Sequence, residues 1–155
     1  MRSYDHILES ITKLSYYVPL LISTGGNSGS QSSTLIIRGL AIGDIKLVDW
    51  WRILVRELSM GLVLGLGLGL VGFLRVLVFP DGDAHFAGVI GLTLVGIVTA
   101  GCTAGAMMPI ALKRIGLDPA TSSTPFIASL VDVLGIIIFA SIARVVMIAA
   151  LGATH

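Results

Sequence analysis

Two long apolar runs limit how this chain can fold more than any other feature of its sequence. They cover about residues 58–79 and 86–112, and within and between them only Arg75, Asp81 and Asp83 are ionised. Each run is long enough to cross the hydrocarbon core of a bilayer, which is about 30 Å thick. A soluble domain usually carries about a quarter charged residues, whereas 12% of this chain is charged. The sequence therefore predicts an integral membrane protein.

Two further segments extend this prediction to an all-α protein with about four transmembrane helices, in a single transmembrane domain covering residues 1–155. The first segment spans residues 14–40 and contains a polar, glycine-rich stretch at residues 24–34. Such a stretch is tolerated at membrane depth only where it is buried in protein or lines water. The last segment spans residues 124–151 and is apolar apart from two ionisable side chains.

Basic residues predict the orientation of these segments. The connection at residues 42–57 is amphipathic, and Trp50 and Trp51 suit a membrane interface. Basic residues cluster around it and in the connection after the third segment: Arg38, Lys46, Arg52, Arg56, Lys113 and Arg114. The turn between the second and third segments carries Asp81 and Asp83 instead. The positive-inside tendency then places both basic connections in the cytoplasm, and we expect the protein in the inner (plasma) membrane.

Other classes of site find no support in the sequence. The net charge of +1 does not suggest a nucleic-acid partner. Cys102 is the single cysteine, and His6, His85 and His155 lie far apart, so no cysteine or histidine metal cluster is predicted. No nucleophile–base pair is visible either. We therefore predict no catalytic residue, no cofactor-binding residue and no enzyme.

Glycines at four-residue spacing predict close helix packing. Gly61, Gly65 and Gly69 repeat this spacing in the second segment, and Gly101 and Gly105 do so in the third. Small residues at this interval lie on one face of a helix and let a neighbouring backbone approach.

Asp132 is the candidate ion-binding residue. A carboxylate near the middle of an apolar span costs roughly 2.5–3.5 kcal/mol, so it normally faces a cavity or a partner. Small or polar residues share its helical face: Thr121, Thr124, Pro125, Ala128, Ser129 and Gly135. The nearest basic residue on this segment, Arg144, is about 18 Å away by helix rise. We predict that Asp132 faces water; the alternative is a protonated carboxyl group hydrogen-bonded to a neighbouring helix.

A second polar stripe runs along the first segment. Its members follow three- and four-residue spacing: Thr24, Asn27, Ser30, Gln31, Thr34 and Arg38. Two such stripes on two helices can enclose a water-filled path, or they can pack helices together through hydrogen bonds. Pro19 and the pair Gly25-Gly26 also allow a kink or a break in this helix.

The donor chemistry around Asp132 favours a hard cation. Carboxylate and neutral oxygens select such ions, and Mg²⁺ keeps much of its water shell, which suits outer-sphere contact with a carboxylate. Mn²⁺, Co²⁺, Ni²⁺ and Zn²⁺ stay open as alternatives, because these ligands discriminate weakly. One carboxylate per chain is little charge for a divalent ion. A symmetric dimer with a pore on its axis would bring two together.

Four stretches occur in a specific order along the chain. They are residues 19–32, with Gly-Gly-Asn-x-Gly-x-Gln, then residues 38–45 and 109–120, and finally residues 125–135, with Pro-Phe and Asp-x-x-Gly. In this combination the chain resembles the MgtE-type magnesium transporters and channels. The resemblance runs through nearly the whole chain.

The resemblance implies a dimeric helical pore domain, with five transmembrane helices per subunit and one pore on the axis of a homodimer. Asp132 takes the position of the family's aspartate that contacts hydrated magnesium, and Ala128 would add a backbone carbonyl as a second metal contact. Residues from both helices would line the pore: Gly25, Gly26, Asn27, Gly29, Ser30, Gln31 and Thr34 from the first, with Thr124, Pro125, Ser129 and Gly135 from the last.

The chain also departs from the family's pattern. Typical members carry cytosolic magnesium-sensing domains, an N domain and a CBS pair, before the membrane part. Residues 1–13 resemble the connection into the family's second membrane helix. We therefore expect a first helix or a regulatory domain on another chain as a further partner, besides a second copy and the lipid bilayer.

Three functions remain as hypotheses. The first is divalent cation transport, with magnesium taken up as a hydrated ion. The second is a non-conducting membrane subunit or fragment whose polar stripes serve helix packing and assembly. The third, a membrane-embedded enzyme, has no catalytic constellation in its favour.

Overall fold

Long helices account for almost all of the structure. The computed structural model describes residues 2–78, 84–121 and 124–152, and their side chains over residues 16–78, 84–120 and 125–146. Within these ranges there are four α-helices: α1 (Arg2–Ile42), α2 (Trp50–Leu77), α3 (Ala84–Arg114) and α4 (Thr124–Gly152). Single 3₁₀ turns precede α2 and α4, at Leu47–Asp49 and Pro119–Thr121. The prediction of an all-α chain is confirmed, and the predicted turn at residues 80–83 lies outside the described residues.

Among the described residues, three helices are long and apolar enough to cross a membrane, judged by length and composition. The spans are Leu47–Leu77, Ala84–Arg114 and Pro125–Val146. Helix α1 has 41 residues and continues without a break through Pro19 and the Gly25-Gly26 pair, but the polar residues in its middle keep it below this level. Its crossing of the membrane therefore stays a prediction.

Helix α2 begins earlier than its apolar run. The sequence placed residues 42–57 in an interfacial connection and began the membrane segment at residue 58, whereas the helix starts at Trp50. The residues from Trp50 to Glu57 are amphipathic, and Ile53 and Glu57 pack inward while Arg52 and Arg56 remain exposed. An amphipathic stretch can thus extend a membrane helix beyond its apolar part.

Helix α3 forms the centre of the bundle. It packs against α1, α2 and α4 and has the longest set of buried residues of the four helices within the described chain. Leu21 of α1, Val76 of α2 and Ile97 of α3 belong to one buried cluster, and Ile138 of α4 packs against it. The other helices are therefore positioned relative to α3.

Glycines on both partners bring α1 and α3 into backbone contact. Gly25 and Gly29 of α1 lie against Gly101 and Gly105 of α3, and all four residues are buried. A Cβ atom on Gly101 would lie 2.6 Å from the Gly25 carbonyl oxygen, and one on Gly29 would lie 2.9 Å from the Gly101 carbonyl oxygen. Side chains have no room at these positions, so the glycine spacing predicted in α3 is confirmed as a packing device.

A second glycine face joins α2 to α3. A Cβ atom on Gly61 would lie 2.8 Å from Thr99 Cα, and one on Gly69 would lie 2.7 Å from the Gly91 carbonyl oxygen. A Cβ atom on Gly65 would lie 3.0 Å from Val95 Cα on α3. This contact confirms the predicted small-residue face of the second segment.

The two connections predicted to be cytoplasmic meet at one end of the bundle. Lys113 Nζ donates a hydrogen bond of 3.0 Å to the Leu40 carbonyl oxygen near the end of α1. The Arg114 guanidinium lies 5.7 Å from the centroid of the Trp50 ring. Gly43 and Gly116, which follow α1 and α3, have φ angles of 82° and 84° and end these helices in the left-handed conformation. The two connections therefore share one side, and the assignment of that side to the cytoplasm stays a prediction.

We expect Gly101→Ala to lower the free energy of unfolding by about 1–3 kcal/mol, because the added methyl group overpacks the α1–α3 contact. Gly88→Ala is a matched control on the same helix, since no atom lies within 4 Å of a Cβ atom built there. It should be neutral or stabilising by up to about 1 kcal/mol. Equal thermal unfolding midpoints of the two variants in detergent would contradict the packing role of Gly101.

Candidate functional site

A groove between α1 and α4 brings the predicted metal contacts together. Its volume is about 420 Å³, and eight residues line it: Val18, Pro19, Ile22, Ser23, Gly26 and Asn27 from α1, with Ala128 and Asp132 from α4. The structure thus places Gly26, Asn27, Ala128 and Asp132 around one space. Sequence reasoning missed Ser23, although its position four residues before Asn27 is a signal that could have identified it.

A second concavity continues along the outside of α1. It has a volume of about 480 Å³ and is lined by Asn27, Ser30, Gln31, Thr34 and Leu35. Asn27 belongs to both spaces, so polar side chains lead from the outer part of α1 to the carboxylate on α4. Three residues of the predicted polar stripe, Asn27, Gln31 and Thr34, are exposed and line this concavity, and we keep the name polar stripe for these three. All three side chains are exposed, although Asn27 also lines the groove beside α4. This exposure disfavours a role for the stripe in holding the single chain together.

Gly26 lets α1 come close to the carboxylate. A Cβ atom built on Gly26 would lie 3.2 Å from Asp132 Oδ1 and 3.7 Å from the Ala128 Cβ atom. A side chain here would therefore occupy the floor of the groove between the two helices. The glycine keeps the Asp132 carboxylate open to the groove.

Asp132 has no cationic partner within the described chain. Its side chain is half-buried, and among the described residues no lysine or arginine forms an ion pair with it. No group of three or more histidine, cysteine, aspartate or glutamate side chains that could hold a metal ion occurs in the same residues. An ion beside Asp132 would complete its coordination with water, neutral oxygens or a second chain.

Other predicted pore residues on α4 share the face of Asp132 without lining the groove. Pro125 and Ser129 are exposed, and Ser129 Oγ donates a hydrogen bond of 2.9 Å to the Pro125 carbonyl oxygen. Both follow the helical periodicity of Asp132 and continue its face toward the start of α4. Thr124 begins α4, but its side chain lies outside the described residues.

Three glycines predicted to line the pore face away from the groove. Gly25 and Gly29 are buried against α3, because each lies two residues from Asn27 and therefore on the opposite side of α1. Gly135 is buried too, and a Cβ atom there would meet Ile97 and Ile22 at 3.5 and 3.6 Å. In this chain the three glycines pack against neighbouring helices, and their part in lining a pore stays a prediction.

Comparison with known families identifies the type of protein to which this site belongs. The model of the MgtE family, described as a divalent cation transporter, matches residues 18–142. The chain belongs to the MgtE family. The MgtE match begins at Val18 and includes Asp132, so all residues that line the groove between α1 and α4 lie within it.

Curated relatives of the MgtE family match along nearly the whole chain. The magnesium transporter MgtE of Thermus thermophilus is 45% identical over 148 residues, which cover 95% of this chain and 32% of the relative. The proteins of the same name from Enterococcus faecalis and Bacillus subtilis are 31% and 27% identical, covering 94% and 90% of this chain. The chain spans about a third of the length of these relatives.

We expect Gly26→Val to remove stabilisation by Mg²⁺, because the added side chain would fill the floor of the groove beside Asp132. The readout is the rise in Tm that saturating Mg²⁺ produces in detergent, since a ligand that binds the folded state stabilises it. Gly67→Val is the control: Gly67 is exposed on α2 and has no atom near a built Cβ. Full Mg²⁺-dependent stabilisation of Gly26→Val would exclude this groove as the ion site.

Proposed function

We propose that this chain transports divalent cations across a membrane, with Mg²⁺ as the substrate, through a pore formed on the axis of a homodimer. The observation that carries the proposal is the polar stripe, which lies exposed on a membrane-protein helix and leads to a carboxylate that has no cationic partner among the described residues. The names of the curated relatives, all magnesium transporters, support the same substrate.

The cost of desolvation explains why the polar stripe requires water or a second chain next to it. Amide and hydroxyl groups exposed to hydrocarbon lose the hydrogen bonds that water gives them, at a cost of several kcal/mol each on alkane scales. Gln31 and Thr34 line the second concavity together with residues of α1 alone, and Asn27 lines both this concavity and the groove beside α4. A second copy facing this surface would remove the stripe from lipid and enclose a wet path between the two chains.

Charge balance supports the same arrangement. One Asp132 carboxylate neutralises half the charge of a divalent ion, and a twofold axis near the groove would bring a second one to the same ion. The groove is also lined by neutral oxygens, among them the Asn27 amide. Mg²⁺ releases its water reluctantly, so these groups would bind its hydration shell, and the Ala128 carbonyl would accept from a water of that shell.

We extend this proposal to the cellular location of the chain and to its partners. A transporter of this kind would lie in the plasma membrane, with the end formed by Lys113, Arg114 and Trp50 in the cytoplasm. A further helix or regulatory domain from another chain would add to the dimer. The same donor set also admits Mn²⁺, Co²⁺, Ni²⁺ or Zn²⁺ as transported ions.

The direct test is Mg²⁺ influx into proteoliposomes. Removing one charge about 5 Å from a divalent ion weakens the attraction by several kcal/mol at an effective dielectric constant of about 20, so Asp132→Ala should reduce influx at least tenfold. Ser141→Ala is a control on the far side of α4, where Ser141 Oγ bonds only the Ile137 carbonyl of its own helix. Equal influx through wild type and Asp132→Ala would refute the assignment of Asp132.

A cross-linking experiment tests the dimer axis. Thr34→Cys and its copy on a second chain should react with a short bismaleimide in membranes, because the proposed pore brings the two stripes face to face. Leu66→Cys, on the exposed side of α2, is the matched control and should stay monomeric. The native Cys102 is buried and gives little background. Efficient cross-linking through Leu66→Cys with none through Thr34→Cys would place the interface on another face.

A further inference from the structure

A buried carboxylate away from the groove connects two helices. Glu57 of α2 is 6% exposed, and Ser32 of α1, itself 7% exposed, donates a hydrogen bond of 2.8 Å from its Oγ to Glu57 Oε2. The other carboxylate oxygen, Oε1, accepts from Arg56 Nη2 at 2.9 Å. Both oxygens of the carboxylate are therefore engaged, one by a solvent-facing guanidinium and one by the helix that carries the polar stripe.

Helix α3 also contributes a side chain near the Glu57 carboxylate. The thiol of Cys102, buried on α3, lies near Ser32 and Glu57. Ser32, Glu57 and Cys102 thus bring one polar side chain from each of three helices together, and we call these residues the three-helix node. A buried charge is costly to desolvate, and removing its partner leaves that cost without compensation. Loss of the Ser32–Glu57 hydrogen bond is therefore costly, which favours the arrangement of α1 that keeps it.

The geometry of α1 shows what the node can control. Ser32 directly follows Gln31, and a helix turns by about 100° per residue, so the side chain that reaches Glu57 fixes where Gln31 points. The contact of Gly25 and Gly29 with α3 sets the distance between the two helices, and its tight packing limits how far α1 can turn. Among the described contacts of α1 with α2, the Ser32–Glu57 hydrogen bond is the directional one.

We propose that Glu57 is a positioning residue for ion transport: through Ser32 it holds the rotation of α1, so that Asn27 and Gln31 face the ion path. The inference rests on the proposed function, because it assigns to Glu57 control over the residues that line that path. Glu57 itself does not line the groove or the second concavity. Its effect on ion affinity acts through Ser32.

The first test compares two serines on the same face of α1. Ser28 lies one turn before Ser32 and is 8% exposed, but its Oγ bonds the Thr24 carbonyl of its own helix. Ser32→Ala should raise the Mg²⁺ concentration for half-maximal influx by roughly tenfold, the equivalent of one hydrogen bond to a charged group. Ser28→Ala should leave it unchanged. A merely structural loss would lower the amount of active protein and not this concentration.

Conservative substitution of the carboxylate gives a second comparison. Glu57→Gln keeps an amide oxygen that accepts from Ser32, so its half-maximal concentration should stay near the wild-type value. Glu57→Leu removes the acceptor and should behave like Ser32→Ala. A defect in Glu57→Gln equal to that in Glu57→Leu would contradict positioning through the hydrogen bond.

A labelling experiment measures the rotation of α1 without transport. Gln31→Cys should react with a water-soluble maleimide several-fold more slowly when combined with Ser32→Ala than with Ser28→Ala, because α1 without the hydrogen bond to Glu57 turns residue 31 away from the second concavity. Equal labelling rates together with equal half-maximal concentrations would overturn the inference. If wild-type influx does not depend on Asp132, the proposed function fails, and the labelling rates alone decide the role of Glu57.

Discussion

The close approach of α1 to α3 is the constraint on which the rest of the structure depends. At Gly25, Gly29, Gly101 and Gly105 no side chain separates the two backbones. Dispersion contacts at this distance are individually weak, but they add along the crossing and drive association where no hydrophobic force acts between helices in lipid. Because these glycines take the inner side of α1, the side chains of Asn27, Gln31 and Thr34 are left on the outer side.

From this crossing follows the position of the carboxylate on α4. With α1 close to α3, Gly26 lies next to α4 and leaves space for Asp132. The carboxylates of Glu57 and Asp132 therefore lie in different environments. Glu57 is buried and has hydrogen-bonding partners for both oxygens, whereas Asp132 is half-buried and has no cationic partner among the described residues. The Glu57 carboxylate is thus satisfied within the chain, whereas the Asp132 carboxylate is available to a ligand.

Periodicity was sufficient to predict much of this arrangement. Apolar runs indicated the membrane helices, and helical spacing on two segments indicated the face of Asp132 and the polar stripe. The same helix geometry places Asn27 at the groove and turns Gly25 and Gly29 toward α3, because a motif of consecutive residues is divided between two sides of a helix. The pairing of Ser32 with Glu57 could not be predicted, since the two residues are 25 positions apart and a single sequence holds no information on which buried groups meet.

The polarity of α1 has a consequence for how the chain enters the bilayer. Helices α2 and α3 are long and apolar enough to cross a membrane, judged by length and composition, whereas the described part of α1 falls below that level. Insertion by the translocon depends on this apolar character. The glycine face of α1 has a complementary surface only after α3 has been synthesised. Membrane insertion would then not follow the order of synthesis, because α1 would remain at the translocon until α2 and α3 have been synthesised. Truncated nascent chains ending before α3 test this order, because α1 should not integrate from them.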